Sequence, residues 1–147
     1  MSEADLQRAA VEWLRLVLGR HYLIGHSANE GKRSRTAGGI LKAQGMQPGT
    51  PDITITGRRF AAYIELKMPG RKLSPTQEAF RDECGRKGVP WHLCYSLGQI
   101  EQFVLLLGIA KRRGSALRAV PPDRLREVDR ATDTPGRYQP DLGPVVP

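Results

Sequence analysis

Apolar residues recur along this chain in blocks whose spacing changes from helical to strand-like and back. Over residues 3–19, Leu6, Ala10, Trp13 and Val17 return every three or four positions, the period of an amphipathic helix. Ser2 is placed to cap its start and Gly19 to end it. The stretch "HYLIGHS" then reads as a short strand, followed by the Gly-rich, basic segment "ANEGKRSRTAGGILKAQGMQPGTP" with a helical turn around Ile40–Gln44. Loops of that length inside a small domain are usually functional or mobile. Strict alternation follows over 52–56 and 61–67, a hairpin. Ser74-Pro75-Thr76-Gln77 is a helix start, with a serine cap, proline in the first turn and glutamine where a capping box wants it. That helix is expected to run to about Arg86 and stop at Gly88. "WHLCYS" is a further strand and "LGQIEQFVLLL" a further helix. From Lys111 onward six of the eleven prolines appear and apolar periodicity stops, so 111–147 is expected to be a basic, Pro-rich tail, loosely attached or disordered, beyond a domain spanning 1–110. Helix, three strands, helix, strand, helix is the order of an α/β domain with a mixed sheet.

The hairpin carries the chemistry. Side chains alternate along a strand, so Asp52, Thr54 and Thr56 share one face while Ile53 and Ile55 share the other. On the second strand Tyr63, Glu65 and Lys67 share a face, opposite Ala62, Ile64 and Leu66. A turn centred on Arg58-Arg59 sets position 52 across from 65 and joins both apolar faces into one surface. A one-residue slip would bury the acids against the isoleucines, so the hydrophobic pattern itself selects this register. Asp52 and Glu65 then stand with Cβ atoms about 5 Å apart, where like charges repel. A divalent cation neutralises such a pair, and Mg²⁺ suits it: a hard ion held by one or two carboxylates that keeps waters able to act chemically. A solvated strand face with a weak Glu–Lys ion pair would produce the same three residues.

Composition narrows the partners. The 147 residues carry 23 Lys and Arg against 15 Asp and Glu, a net charge of +8 that points toward a polyanion, most often nucleic acid. No run approaches the roughly 20 apolar residues of a membrane span, and the polar start "MSEADLQRAA" has no signal-peptide pattern, so a cytoplasmic location is expected. Cys84 and Cys94 read as reduced, buried thiols. His92, near Cys94 on a strand, reads as packing rather than as a zinc ligand.

On these residues the chain resembles the VRR-NUC nucleases, a branch of the PD-(D/E)xK superfamily. "GTPDITI", "AYIELKMPGRKLSPTQEAF" and "GVPWHLCYS" carry the resemblance, with "ANEGKR" and "LKAQGMQPG" upstream, over about residues 3–105. It implies an αβββαβ restriction-endonuclease-like core with a mixed central sheet flanked by helices. It further implies that Asp52 and Glu65 bind the metal, Mg²⁺ or Mn²⁺, with the backbone carbonyl of Leu66. Lys67 would position the attacking water or stabilise charge at the phosphate. Gln77 matches the family's glutamine near the active site, and a purely capping role for it stands equally open. The family also uses an acid on the first helix. Glu3 lies on the same side as Leu6, Ala10, Trp13 and Val17, whereas Glu12 points away, so Glu3 is the expected ligand; Asp5 is less favoured.

Lys32, Arg33, Arg35, Arg71 and Lys72 read as phosphate contacts, each equally at home on a solvated surface. Tyr63 can stack a base or pack in the sheet. The implied activity is metal-dependent hydrolysis of phosphodiester bonds in DNA, leaving 5′-phosphate and 3′-hydroxyl ends. The resemblance also implies structure-specific cutting of branched DNA, four-way junctions included, in a bacterial cell or phage-infected host; nothing resembles a sequence-reading module, which fits specificity by DNA shape. Two further readings stay open: a nucleic-acid-binding protein with a vestigial site, and a restriction-type or RNA-directed nuclease on the same fold. A homodimer is expected, and the helix "QIEQFVLLL", apolar nearly all round, is either its interface or buried in the monomer.

Overall fold

The computed structural model describes residues 1–27 and 49–125. Helix α1 (Glu3–Leu18) starts at the expected Ser2 cap, where Ser2 and Asp5 close a reciprocal capping box. Asp5 is therefore occupied at the helix start, and its hydrogen bonds with Ser2 hold its carboxyl below the usual range. Along α1 the buried residues are Leu6, Gln7, Ala10, Val11, Leu14 and Leu18. Trp13 and Val17, expected on the apolar stripe, are only partly buried against the core. The buried face is turned because α1 packs against the sheet, a neighbouring helix and a C-terminal strand together.

Strands β1 (Leu23–His26), β2 (Ile53–Gly57), β3 (Phe60–Leu66) and β4 (Trp91–Cys94) form one sheet in that order. The first two pairings are antiparallel, and β3–β4 is parallel. Helix α2 (Pro75–Lys87) makes the crossover a parallel pair requires. Ile53 pairs with Ile64 and Thr56 with Ala61, which is the register the hydrophobic pattern selects. One face, with Ile53, Ile55, Ala62, Ile64, Leu66 and Cys94, packs on α1 and on α3 (Leu97–Leu106) through Leu6, Leu14, Ile100, Phe103 and Val104. His92 stacks on Phe103 on this face, and burial pulls its pKa down to about 4, so it is a neutral packing residue. Cys84 and Cys94 are free and buried. The opposite face meets α2, where Tyr63 packs edge-on against Phe80 rather than standing open for a base.

Two expectations change. The α3 helix buries Ile100, Phe103 and Val104, while Leu97 and Leu106 are exposed, so it is not wholly buried in the monomer. Regular structure also continues past Lys111. Strands β5 (Ala110–Arg113) and β6 (Ala116–Ala119) pair antiparallel, and a 3-10 turn follows at Pro122–Arg124. Ala110 is buried, Ala119 and Leu125 pack on the core, and Tyr22 Oη donates to the Val120 carbonyl at 2.6 Å. Small alanines facing inward let a strongly charged hairpin lie close to the core, an arrangement that hydropathy averages hide. The expected helical turn at 40–44 and the tail beyond 125 lie outside the described residues. Among the described residues no helix is long and apolar enough to cross a membrane.

Candidate active site

Asp52 precedes β2 by one residue and Glu65 is the penultimate residue of β3, so the strand register brings both to one end of the sheet. They are buried, at 4% and 1% exposure, rather than set on a solvated face. The first turn of α2 accounts for part of this cover. Gln77 Nε2 donates to Glu65 Oε1 at 2.6 Å, while Gln77 Oε1 accepts from the Ser74 backbone N–H at 2.9 Å. One amide thus serves the helix start with its oxygen and bonds the Glu65 carboxyl with its nitrogen.

Asp52 is fixed at side chain and backbone. Its Oδ2 accepts from the Leu66 N–H at 2.8 Å. Its carbonyl accepts from Ser27 N–H at 2.9 Å and from Gln7 Nε2 at 3.3 Å. Gln7 also donates to the Ser27 carbonyl at 2.8 Å, tying the ends of β1 and β2 to α1. Sequence reasoning passed over Gln7. Its signal was present, because it shares the helical stripe of Val11, Leu14 and Leu18, and a polar residue there needs buried partners. Gly49 was missed as well. It takes φ +79°, and a Cβ added there would fall 2.3 Å from the Thr76 carbonyl oxygen and 3.0 Å from Gln77 N. The segment leading into Asp52 therefore rests directly on the first turn of α2.

Lys67 Nζ lies 3.6 Å from Glu65 Oε1 and 3.9 Å from Glu3 Oε1, with its side chain largely buried. Glu3 thus turns toward the site from α1, whereas Glu12 is exposed. Glu65 keeps one oxygen, Oε2, buried with no hydrogen-bond partner. Burial, followed by the like charge of Asp52, pushes its pKa up to about 8, against the opposing pull of Lys67. Among the described residues no group of three His, Cys, Asp or Glu side chains forms a metal cage. The pair nevertheless suits a hard divalent cation: two oxygen donors, one unsatisfied, in a site whose charge needs neutralising. Leu66 contributes through its backbone only, since its side chain is in the core. Arg71 and Lys72 are exposed just beyond β3. Lys32, Arg33 and Arg35 lie outside the described residues.

The fold is thus a four-stranded mixed sheet flanked by helices, with Asp52, Glu65 and Lys67 gathered at one end. The VRR-NUC domain model matches residues 3–97, and the chain belongs to that family. The family implies a nuclease-type fold acting on DNA. Among solved structures, one described as a VRR_NUC domain protein aligns with a TM-score of 0.55 at 20% identity, covering 72% of this chain and 90% of its own. A second, described as a VRR_NUC domain, gives 0.49 at 20% identity over 70% and 94%. No curated protein matches.

Proposed function

We propose that this chain is a metal-dependent endonuclease that hydrolyses phosphodiester bonds in branched DNA, four-way junctions among them, in the cytoplasm. The observation that carries the reading is Glu65: fully buried beside Asp52, with one oxygen unpartnered and Lys67 at 3.6 Å. Burying like charges is destabilising in itself, so the arrangement makes sense as a built ion site rather than as scaffold. Asp52 and Glu65 would hold Mg²⁺ or Mn²⁺, aided by the Leu66 backbone. When bound, such an ion supplies charge neutralisation at the phosphate and a water of lowered pKa.

The chain's own residues do the rest. The Leu66 N–H and Gln7 hold Asp52 in place, and Gln77 fixes the Glu65 carboxylate by donating to Oε1. Lys67 sets a positive charge beside that carboxylate, suited to a developing oxyanion or to orienting the attacking water. Glu3 steadies the Lys67 ammonium from α1. Arg71 and Lys72, with Lys32, Arg33 and Arg35, supply sequence-independent phosphate affinity.

The test is a panel of labelled duplex, flap and four-way-junction DNAs and a matched RNA, each with Mg²⁺, Mn²⁺ or EDTA. Cleavage is expected with metal only, strongest on the branched DNAs, and absent in Glu65→Gln and Lys67→Ala, which retain binding. Binding that is equal in EDTA and Mg²⁺ with nothing cut would replace the nuclease by a nucleic-acid-binding protein with a vestigial site. Preferential cutting of RNA would overturn the DNA assignment.

A further inference from the structure

Beyond residue 97, where the family match ends, the chain adds a charged ribbon. Strands β5 and β6 pair Ala110 with Ala119, Lys111 with Arg118, Arg112 with Leu117 and Arg113 with Ala116. Alternation divides the ribbon into two faces. Ala110 and Ala119 lie on the core, and Arg112, on that same face, is ion-paired with Glu101 of α3. On the outer face Lys111 stands directly across from Arg118, with Arg113 beside them. All three are exposed, and none has an ion pair among the described residues. Residues 110–120 hold four cations and no acid, so the ribbon cannot neutralise itself. Like charges placed opposite each other weaken a strand pair, and an anion laid across them removes the penalty.

The ribbon is fixed at its base. Tyr22 Oη donates to the Val120 carbonyl, and Val120 N–H bonds the Ile109 carbonyl at 2.7 Å. Tyr22 also lines a cleft of about 340 Å³ with Arg20, His21 and Arg58. The adjoining turn residue, Arg59, adopts φ 58°, a conformation glycine takes without strain. Asp123 lies 3.8 Å from Arg58, but both side chains are well exposed and the pair is screened. This basic end is separated from the acids by the length of β2, about 16 Å at roughly 3.3 Å per residue.

We propose that the outer face of the β5–β6 ribbon, with the Arg20–Arg58 cleft at its base, is a second binding site for nucleic-acid backbone, separate from the catalytic acids. It rests on the nucleic-acid reading above and adds to it where the substrate is gripped. Because the length of β2 separates the Arg20–Arg58 cleft from the acids, this site holds a stretch of backbone other than the scissile phosphate, such as another arm of a branch.

The experiment measures binding of full-length protein to labelled junction DNA by anisotropy in EDTA, over a range of NaCl concentrations. Lys111→Ala with Arg118→Ala is expected to weaken binding about tenfold and to flatten the slope of log K against log salt by about 1.8, two phosphate contacts' worth. Arg20→Ala with Arg58→Ala should do likewise, which covers the case of a ribbon variant that does not fold. The control is Arg86→Ala with Lys87→Ala, cations at the far end of α2 paired with Glu83, which should leave affinity unchanged. Equal loss in the control would mean net charge alone matters and would overturn the site, as would unchanged binding in both test pairs. Loss of binding to phosphatidylserine vesicles in place of DNA would reassign the surface to lipid. Cleavage by the wild type in Mg²⁺ is scored separately, so a failed nuclease reading is distinguishable from a failed ribbon.

Discussion

At Glu65 two demands conflict. The strand pattern buries it, and the chemistry asks it to be charged beside Asp52. In the metal-free protein the acid form is favoured, with the pKa raised from 4.5 to about 8. The folded state therefore binds more protons than the unfolded chain between those values, and stability falls as pH rises through that window. The slope is at most about 1.4 kcal/mol per pH unit for one proton. Glu65→Gln removes the titration. In EDTA, melting temperature from pH 5 to 9 should decline more steeply for wild type than for the variant, and Mg²⁺ should restore the wild type above pH 7. Parallel curves would mean Glu65 is ionised throughout. Gln77 poses a different problem, since one side chain serves cap and site. Gln77→Glu keeps an oxygen for the Ser74 N–H but loses the donor to Glu65. Cleavage should fall at least tenfold while the pH 5 melting temperature stays within a few degrees. Gln77→Ala should lose both, with about 1 kcal/mol of stability going with the cap.

Among the elements, the approach to Asp52 and the start of α2 form one joint through Gly49. A Cβ there meets Thr76 backbone at 2.3 and 2.6 Å, and only a shift of the helix start, and of Gln77 with it, makes room. Gly88, which ends α2 at φ +68°, has nothing within 4 Å of an added Cβ. Gly88→Ala therefore carries only the left-handed backbone penalty, about 1 kcal/mol. Gly49→Ala carries crowding as well. Cleavage kinetics of the two variants should separate them: kcat reduced tenfold or more for Gly49→Ala, and close to wild type for Gly88→Ala once both are folded. Similar kcat values would show that the joint does not position Gln77. Sequence pattern made much of this scale legible. Alternation of Ile53, Ile55, Ile64 and Leu66 fixed the register, and Ser74-Pro75 with Gly88 bounded α2, because those signals are local. Gln7 and Gly49 escaped because their meaning lies in residues 45 and 27 positions away. The β5–β6 hairpin escaped because its inward contacts are two alanines among arginines. Its contribution is measurable. A chain ending at Leu125 should melt within 2 °C of full length, whereas one ending at Ile109 loses the Tyr22–Val120 bond and the cover over the core. That costs about 2–3 kcal/mol, or roughly 10 °C. Equal melting temperatures for both would make the hairpin an ornament.

For the whole molecule, the proposed activity on branched DNA raises the question of how one site per chain could process such a substrate. Asp52, Glu65 and Lys67 make a single constellation, and one constellation, acting as proposed, would cut one strand at a time. A four-way junction is close to two-fold symmetric, so a closed two-fold dimer presents two sites to matching strands. On the proposed second site, the Arg20–Arg58 cleft would give each protomer a hold about 16 Å from its own acids, leaving the Asp52–Glu65 end of the sheet free to meet a branch point. The exposed apolar residues of α3, Leu97 and Leu106, are too few to specify an interface alone, and Leu16 and Leu23 are exposed on α1 and β1. Any dimer is therefore expected to be weak without DNA and to assemble on the junction, where both copies share one polyanion. Multi-angle light scattering should report a monomer, or a concentration-dependent mixture, for the free protein, and two copies per junction in EDTA. A cruciform-bearing supercoiled plasmid then tests pairing of the cuts. Linear product appearing without a lag behind nicked circles requires both sites in one complex, whereas nicked circles accumulating first would show that each chain cuts alone. A one-to-one complex at micromolar protein would end the dimer while leaving the acids, the lysine and the nuclease reading untouched.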